Sequence, residues 1–284
     1  MRKYIYTRLS KVDFSIFRLG GPGLANCMFF ASRSVVLANK YGATMLRPTW
    51  ERFGVGAFLR KEMDLRHYRG LFRQDSLLKR IKKLFLLMFA RRHSERNIEL
   101  CNSGIIVVDG WVGFNGQLAE HYEEVKEYFD KEMLPTAIRA VPSSLKGFVA
   151  VHIRLGDMPS GFRVPLDWYI EKINQVAAQA LGNLEFLIFS DGTDAEIQDV
   201  LKLKHTKRVF YGNALADMIA ISRCDIVIGS VSTFSWWGAY FGQVPCIFDR
   251  NHSGCMLKDK AMMVISRMGE PIPSDFVAKA LTRQ

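Results

Sequence analysis

Three polar clusters carry the residue types that group transfer would need. In the first, His152-Ile-Arg154-Leu-Gly-Asp157, a His and an Arg stand two apart on one face of an extended segment that breaks at Gly156. The planar guanidinium of an Arg at a strand's end can bind two oxygens of a pyrophosphate at once. The same six residues serve equally well as a strand-end Arg–Asp ion pair beside a hydrogen-bonded His. The second cluster is Phe189-Ser-Asp191-Gly192. Asp191 could accept hydrogen bonds from a base or a ribose, although an Asx-turn or a helix cap is the commoner use of such a residue. The third is Gly229-Ser-Val-Ser-Thr-Phe-Ser-Trp-Trp-Gly238, where a strand ends, hydroxyl residues follow and a helix starts near Ser232. This is an anion site in outline, with free backbone N–H groups and Ser230, Ser232 and Thr233 as added donors. Trp236 and Trp237 read as core packing.

A fourth segment, Gly20-Gly-Pro-Gly-Leu-Ala-Asn26, is a poor dinucleotide fingerprint, because Asn26 stands at the third glycine's place and Arg47-Pro48 where an acid is needed. It still suits close approach of backbone to a ligand, with Asn26 as a polar side chain. The chain has no Asp-x-Asp pair, P-loop or Gly-x-Ser-x-Gly. Transferases that hold a nucleotide through Mg²⁺ or Mn²⁺ need clustered carboxylates. Here Arg side chains and helix ends would have to neutralise a leaving group instead, and no metal site is expected.

The elements that must position these residues follow a simple rhythm. From residue 147 strands are predicted at 148–153, 184–189, 207–211, 225–229 and 244–248. Helices are predicted between them at 167–181 (with Asp167 as N-cap), 194–203, 214–224 and 232–241. This alternation signals βαβ units on a parallel sheet. In such sheets ligands bind at the carboxyl ends of strands, where all three clusters fall. The amino-terminal half is less regular, with predicted strands at 13–17, 43–46 and 105–108, helices at 24–41 and 120–133, and a loop-rich basic insertion at about 51–100. Residues 134–142 read as a linker, giving domains 1–140 and 141–284.

Composition bounds the setting. The 284 residues are 49% hydrophobic and 24% charged, which excludes disorder and fibrous folds. The net charge of +11 is local: residues 1–100 carry 21 basic and 7 acidic side chains, so an anionic partner is expected through that part. Five scattered cysteines without a Cys-x-x-Cys pair suit a reducing compartment. No apolar run follows the charged start, so a cytoplasmic protein is expected. Residues 77–92 hold six cations, no acid and an apolar middle, which reads equally as an interfacial amphipathic helix or as a core-packed helix with a solvated basic end. In the first reading Lys79, Arg80, Lys82 and Lys83 would touch a membrane.

Taken together and in order, the motifs resemble those of the α-1,2-fucosyltransferase family of inverting glycosyltransferases. The family's Gly-Leu-Gly-Asn-Gln-Met-Phe reads here Gly23-Leu-Ala-Asn-Cys-Met-Phe29, and its His-x-Arg-x-Gly-Asp reads His152 to Asp157. Its Phe-Ser-Asp is Phe189 to Asp191, and its Ser-x-Ser-Thr-Phe-Ser-Trp-Trp is Ser230 to Trp237. Asp109-Gly-Trp111 is similar to a further family segment. Ala25, Cys27, Leu155 and Met158 depart from the usual residues, which bears on acceptor and donor choice. The resemblance implies a GT-B-like α/β fold of two Rossmann-like domains facing a cleft, with GDP-fucose as donor and no metal. It implies Arg154 on the diphosphate with His152 in support. Asp191, Ser230, Ser232, Thr233, Phe234 and Ser235 would hold the nucleotide, and Gly23 and Asn26 would line the cleft. Asp157, Asp13 and Glu51 are alternative bases, with Asp157 placed in the catalytic set. The acceptor would be an oligosaccharide, lipid-linked where the protein docks on the cytoplasmic face of the inner membrane during surface-glycan synthesis. The alternatives are transfer from another GDP-sugar, a nicotinamide oxidoreductase, and a non-catalytic module binding glycan or nucleic acid.

Overall fold

The structure, a computed structural model, describes residues 2–54, 56–59, 64, 66–110, 117–156, 158–180, 182–230, 232–250 and 256–282. The chain divides into two compact units, residues 1–137 and 138–284. Both are α/β units built on a parallel sheet.

The amino-terminal unit runs β1 (Lys3–Thr7), β2 (Val12–Asp13), β3 (Arg18–Leu19), α1 (Leu24–Lys40), β4 (Thr44–Leu46), β5 (Arg52–Phe53), α2 (Gly56–Leu59), α3 (Leu77–Phe89), β6 (Arg92–Ser94), β7 (Gly104–Val108) and α4 (Tyr122–Glu132). Its main sheet has the order β4-β1-β7-β6, all parallel. Ile5, Ile106 and Val108 on this sheet pack with Ala38 of α1 in one core cluster.

The carboxyl-terminal unit runs β8 (Leu145–Ile153), α5 (Leu166–Gln179), β9 (Glu185–Ser190), α6 (Gln198–Leu201), β10 (Thr206–Arg208), α7 (Ala214–Ile221), β11 (Cys224–Gly229), α8 (Thr233–Gly242), β12 (Cys246–Phe248), β13 (Met263–Ile265) and α9 (Phe276–Thr282). Its six strands are parallel in the order β10-β9-β8-β11-β12-β13. The chain starts in the middle at β8, grows outward through β9 and β10, then returns to lay β11 on the other side of β8. That reversal is a topological switch point, and open α/β sheets bind ligands in the crevice it leaves at the strands' carboxyl ends. Alternation along β8 sends Val149, Val151 and Ile153 into a core shared with α5 and α9, and His152 to the opposite face.

Several expectations are corrected. Residues 13–17 form a tight antiparallel β2–β3 turn, because the Asp13 carboxylate accepts the Ser15 amide at 2.7 Å and Ser15 takes a φ of 63°. The strand that opens the first βαβ unit is β1, which the charged start concealed. Asp167 does not cap α5; Pro165 precedes the helix and Asp167 lies in its first turn, where its charge suits the dipole. The helix expected at 194–203 shrinks to α6, because Thr193 and Glu196 bond one another and hold a turn there. Beyond residue 250, β13 and α9 complete the unit without having been expected. Cys27, Cys101, Cys224 and Cys246 are buried thiols, and Cys255 lies outside the described residues.

Lys83 is also corrected as a membrane contact, since it is 3% exposed. Its ammonium donates to Thr49 Oγ1 at 2.7 Å and to the Arg47 carbonyl at 3.0 Å, and lies 3.8 Å from Asp13. Asp13 in turn accepts the hydroxyls of Tyr6 and Thr49, each at 2.7 Å. Burial pushes the Lys83 ammonium below its ordinary value, and Asp13 opposes this. The pair therefore ties α3 to the β2–β3 turn. Breaking a buried pair from one side strands the remaining charge, so Lys83→Ala is expected to cost about 3 kcal/mol in urea unfolding, against less than about 0.5 kcal/mol for the exposed Lys79→Ala.

Candidate active site

The switch-point strands deliver the candidate residues to one edge. Strand pairing sets His152 of β8 opposite Phe189 of β9 and Gly229 of β11, and Gly229 opposite Phe248 of β12. Arg154, Asp191, Ser230 and Asp249 each lie one or two residues past these positions.

Arg154 and Asp191 form an ion pair between Nη1 and Oδ2 across the ends of β8 and β9. The other carboxylate oxygen, Oδ1, accepts the backbone amides of Leu155 at 2.8 Å and Gly156 at 3.1 Å. Asp191 thus fixes both the guanidinium and the turn that follows it. A Cβ at 156 would meet the Asp191 carboxylate, so any other residue there would displace the group that holds Arg154. The local Asx-turn or cap weighed from sequence for Asp191 is not what is seen: its carboxylate serves the neighbouring strand, and Ser190 Oγ accepts the Gly192 amide at 3.0 Å instead.

His152 is buried, and its ring stacks on Phe234 with centroids 4.9 Å apart. Burial lowers its pKa to about 4; Asp191 raises it and Arg154 lowers it by smaller amounts. The ring is therefore neutral at pH 7. Among the described residues its Nδ1 is buried without a hydrogen-bond partner, as are the hydroxyls of Ser230 and Tyr169 and Oδ1 of Asp249. Tyr169, on α5, is fully buried, which raises its phenol far above the ordinary value; the nearby Ser230 hydroxyl counters this without aligning for a bond. Buried polar groups without partners are rare and costly. Four of them gather at this one sheet edge among the described residues.

Beyond Ser230 the chain caps α8. Ser232 accepts the Phe234 amide at 3.3 Å, and Ser235 donates to the Ser232 carbonyl at 3.1 Å. These two hydroxyls thus shape the helix end, while Thr233 and Phe234 are half-buried. The positive end of α8 faces the same strand edge. Trp236 and Trp237 are core residues, as expected; Trp237 meets Tyr240 edge-on at 5.2 Å.

The remaining residues lie elsewhere. Asp157 is outside the described residues. Gly23 and Asn26 belong to the amino-terminal unit, where Gly23 caps α1 and the Leu24 amide donates to Tyr68 Oη at 3.0 Å. Arg18 is wholly buried beneath this glycine turn and donates to the carbonyls of Gly20 and Pro22. Glu51 is half-buried and bonded to Gln74, whereas Asp13 is committed to the Lys83 cluster. Sequence reasoning missed Tyr169 and Asp249. Asp249 had a readable signal, being a polar residue directly after a predicted strand, as Ser190 and Ser230 are.

Residues 118–247, which hold all three carboxyl-terminal clusters, match the model of glycosyl transferase family 11. The match covers 130 of the 284 residues. The match does not reach Gly23–Phe29. No curated protein sequence matches the chain. Among solved structures, the chain is similar to the NodZ α-1,6-fucosyltransferase co-crystallised with GDP, at 16% identity and a TM-score of 0.51, over 86% of this chain and 93% of that one. NodZ from Bradyrhizobium gives 15% and 0.51, over 86% and 94%. A mutant of Arabidopsis thaliana FUT1 in complex with GDP gives 11% and 0.52, over 89% and 71%. These likenesses are of fold: the chain has a GT-B-like α/β architecture of two Rossmann-like units. Among the described residues no group of His, Cys, Asp or Glu could hold a metal ion, and no helix is long and apolar enough to cross a membrane.

The electrostatics of His152 set a pH dependence. Its native pKa is depressed from an ordinary value of about 6.5, so as pH falls the unfolded chain takes up the proton first. This contribution to stability is full above pH 6.5 and is lost as pH falls towards 4. Between pH 7 and 4.5 the loss from this residue is expected to be about 2–3 kcal/mol. Urea unfolding at the two pH values should show a correspondingly smaller drop for His152→Gln than for the parent chain; equal drops would contradict the assignment.

Proposed function

We propose that this enzyme transfers L-fucose from GDP-fucose to a sugar hydroxyl, forming an α-1,2 linkage with inversion and without a metal ion. The observation that carries the reading is Arg154, locked by Asp191 at a switch point beside the start of α8 and four buried polar atoms that have no partner among the described residues. GDP is present in the complexes of the structurally similar NodZ and FUT1, which supports a GDP-sugar donor. Breaking the sugar–phosphate bond leaves an oxocarbenium-like sugar and a diphosphate gaining charge. Arg154 and the α8 terminus supply the counter-charge, in a chain whose sequence has no Asp-x-Asp pair to recruit a cation.

In this reading the carboxyl-terminal unit holds the nucleotide sugar. Asp191 acts chiefly by positioning Arg154, and His152, neutral and stacked on Phe234, offers Nδ1 to the donor. Ser230 and Thr233 reach the nucleotide, while Ser232 and Ser235 keep the α8 start in shape for it. Asp157, directly after the Gly156 turn, takes the proton of the attacking hydroxyl. Attack from the face opposite the departing diphosphate converts a β-linked donor into an α-linked product. The amino-terminal unit, with Gly23 and Asn26, serves the acceptor, an oligosaccharide of bacterial surface-glycan synthesis assembled on lipid at the cytoplasmic face of the membrane.

A thermal-shift panel in EDTA tests the donor. GDP and GDP-fucose should raise the melting temperature where UDP and NAD do not. The shift should fall in Arg154→Ala, with kcat reduced by roughly 10²–10³. Asp157→Asn should keep the shift and lose turnover. A shift with GDP-mannose equal to that with GDP-fucose, or none with any GDP compound, would overturn the fucose assignment.

A further inference from the structure

Helix α3 is turned the wrong way round for a helix of a protein surrounded only by water. Seven of its thirteen residues, Leu77, Leu78, Ile81, Leu84, Phe85, Met88 and Phe89, are apolar and solvent-exposed, from 40% at Leu84 to 79% at Leu78. At 3.6 residues per turn they share one arc of roughly 140°. The two buried positions, Lys83 and Leu87, lie on the opposite side. The helix is thus held by a lysine ammonium in the Thr49–Asp13 cluster while its apolar face is presented outward. A core-packed helix, the other reading of this sequence, would show the reverse.

We propose that the outer face of α3 is a docking surface for an anionic lipid bilayer. Charge complementarity selects this occupant. Lys79 and Lys82 are exposed on the helix, with Lys82 at one edge of the apolar arc, and Arg91 and Arg92 are exposed just past its end. Residues 77–92 contain no acid at all. A second copy docking face to face would bring these cations together uncompensated. A nucleic acid would satisfy the cations and leave seven apolar side chains wet. An anionic membrane satisfies both, with apolar side chains among the acyl chains and cations at the headgroups. The surface is about 20 Å long, suited to lying in the interface. The inference gives a physical basis to the membrane setting suggested above but rests only on the amino-terminal unit, and so is independent of the donor assignment.

Flotation with vesicles of equal parts phosphatidylcholine and phosphatidylglycerol, against vesicles of phosphatidylcholine alone, tests it without an activity assay. The full chain should float with the anionic vesicles and be released by salt. Phe85→Ser with Met88→Ser should stay behind while melting as the parent does. Each cation near such a surface is worth roughly a factor of five, so Lys79→Glu with Lys82→Glu should bind at least about tenfold more weakly. Absence of binding to anionic vesicles, equal binding to both kinds, or binding unmoved by either pair of substitutions would overturn the proposal. So would self-association in sedimentation that Phe85→Ser with Met88→Ser abolishes, which would make a second copy the occupant.

Discussion

The candidate site depends on one carboxylate. Asp191 grips the Arg154 guanidinium with one oxygen and the amides of Leu155 and Gly156 with the other. An arginine side chain by itself has many rotamers and would sweep out a wide volume. Tied across two adjacent strand ends it becomes a fixed positive charge whose placement is inherited from the sheet. A charge developing on a leaving group is best met by a partner that need not reorganise. The glycine at 156 belongs to the same device, because any side chain there would occupy the carboxylate's place.

The neighbouring polar atoms follow a different economy. Among the described residues His152 Nδ1, Ser230 Oγ, Tyr169 Oη and Asp249 Oδ1 are buried without partners, an arrangement that costs stability. They end three adjacent parallel strands and the helix packed beneath. Ser232 and Ser235, by contrast, spend their hydroxyls on the start of α8. The hydroxyl-rich segment 230–235 therefore divides between Ser232 and Ser235, which shape the helix end, and Ser230, whose hydroxyl has no partner among the described residues.

In the amino-terminal unit burial is used in reverse. A lysine, an aspartate, a threonine and a tyrosine close one buried network between α3 and the β2–β3 turn, while seven apolar side chains of the same helix face outward. Hydrophobic patterning identifies an amphipathic helix but not the direction in which its apolar arc points. That direction was open in residues 77–92, and Lys83, which looked like one more surface cation, proved to be the anchor.

The sequence by itself determined the five strands β8 to β12 of the carboxyl-terminal unit. Its parallel strands are buried on both faces, so β8, β9 and β11 read as short unbroken apolar runs, and the polar residues after them mark the site edge. The start of α1 at Leu24 was equally plain, because Gly23 and the apolar run after it act locally. What failed were elements whose identity is set by distant partners. Strand β1 is recognisable only when paired between β4 and β7, β13 only beside β12, and residues 13–17 bend because Asp13 captures a backbone amide and then a lysine from another helix. Only the tertiary structure could decide that Asp191 serves Arg154, that Tyr169 and Asp249 join the site, and that Lys83 is buried. Spacing along a chain fixes which residues share a face, whereas hydrogen bonds and burial depend on what is folded against that face.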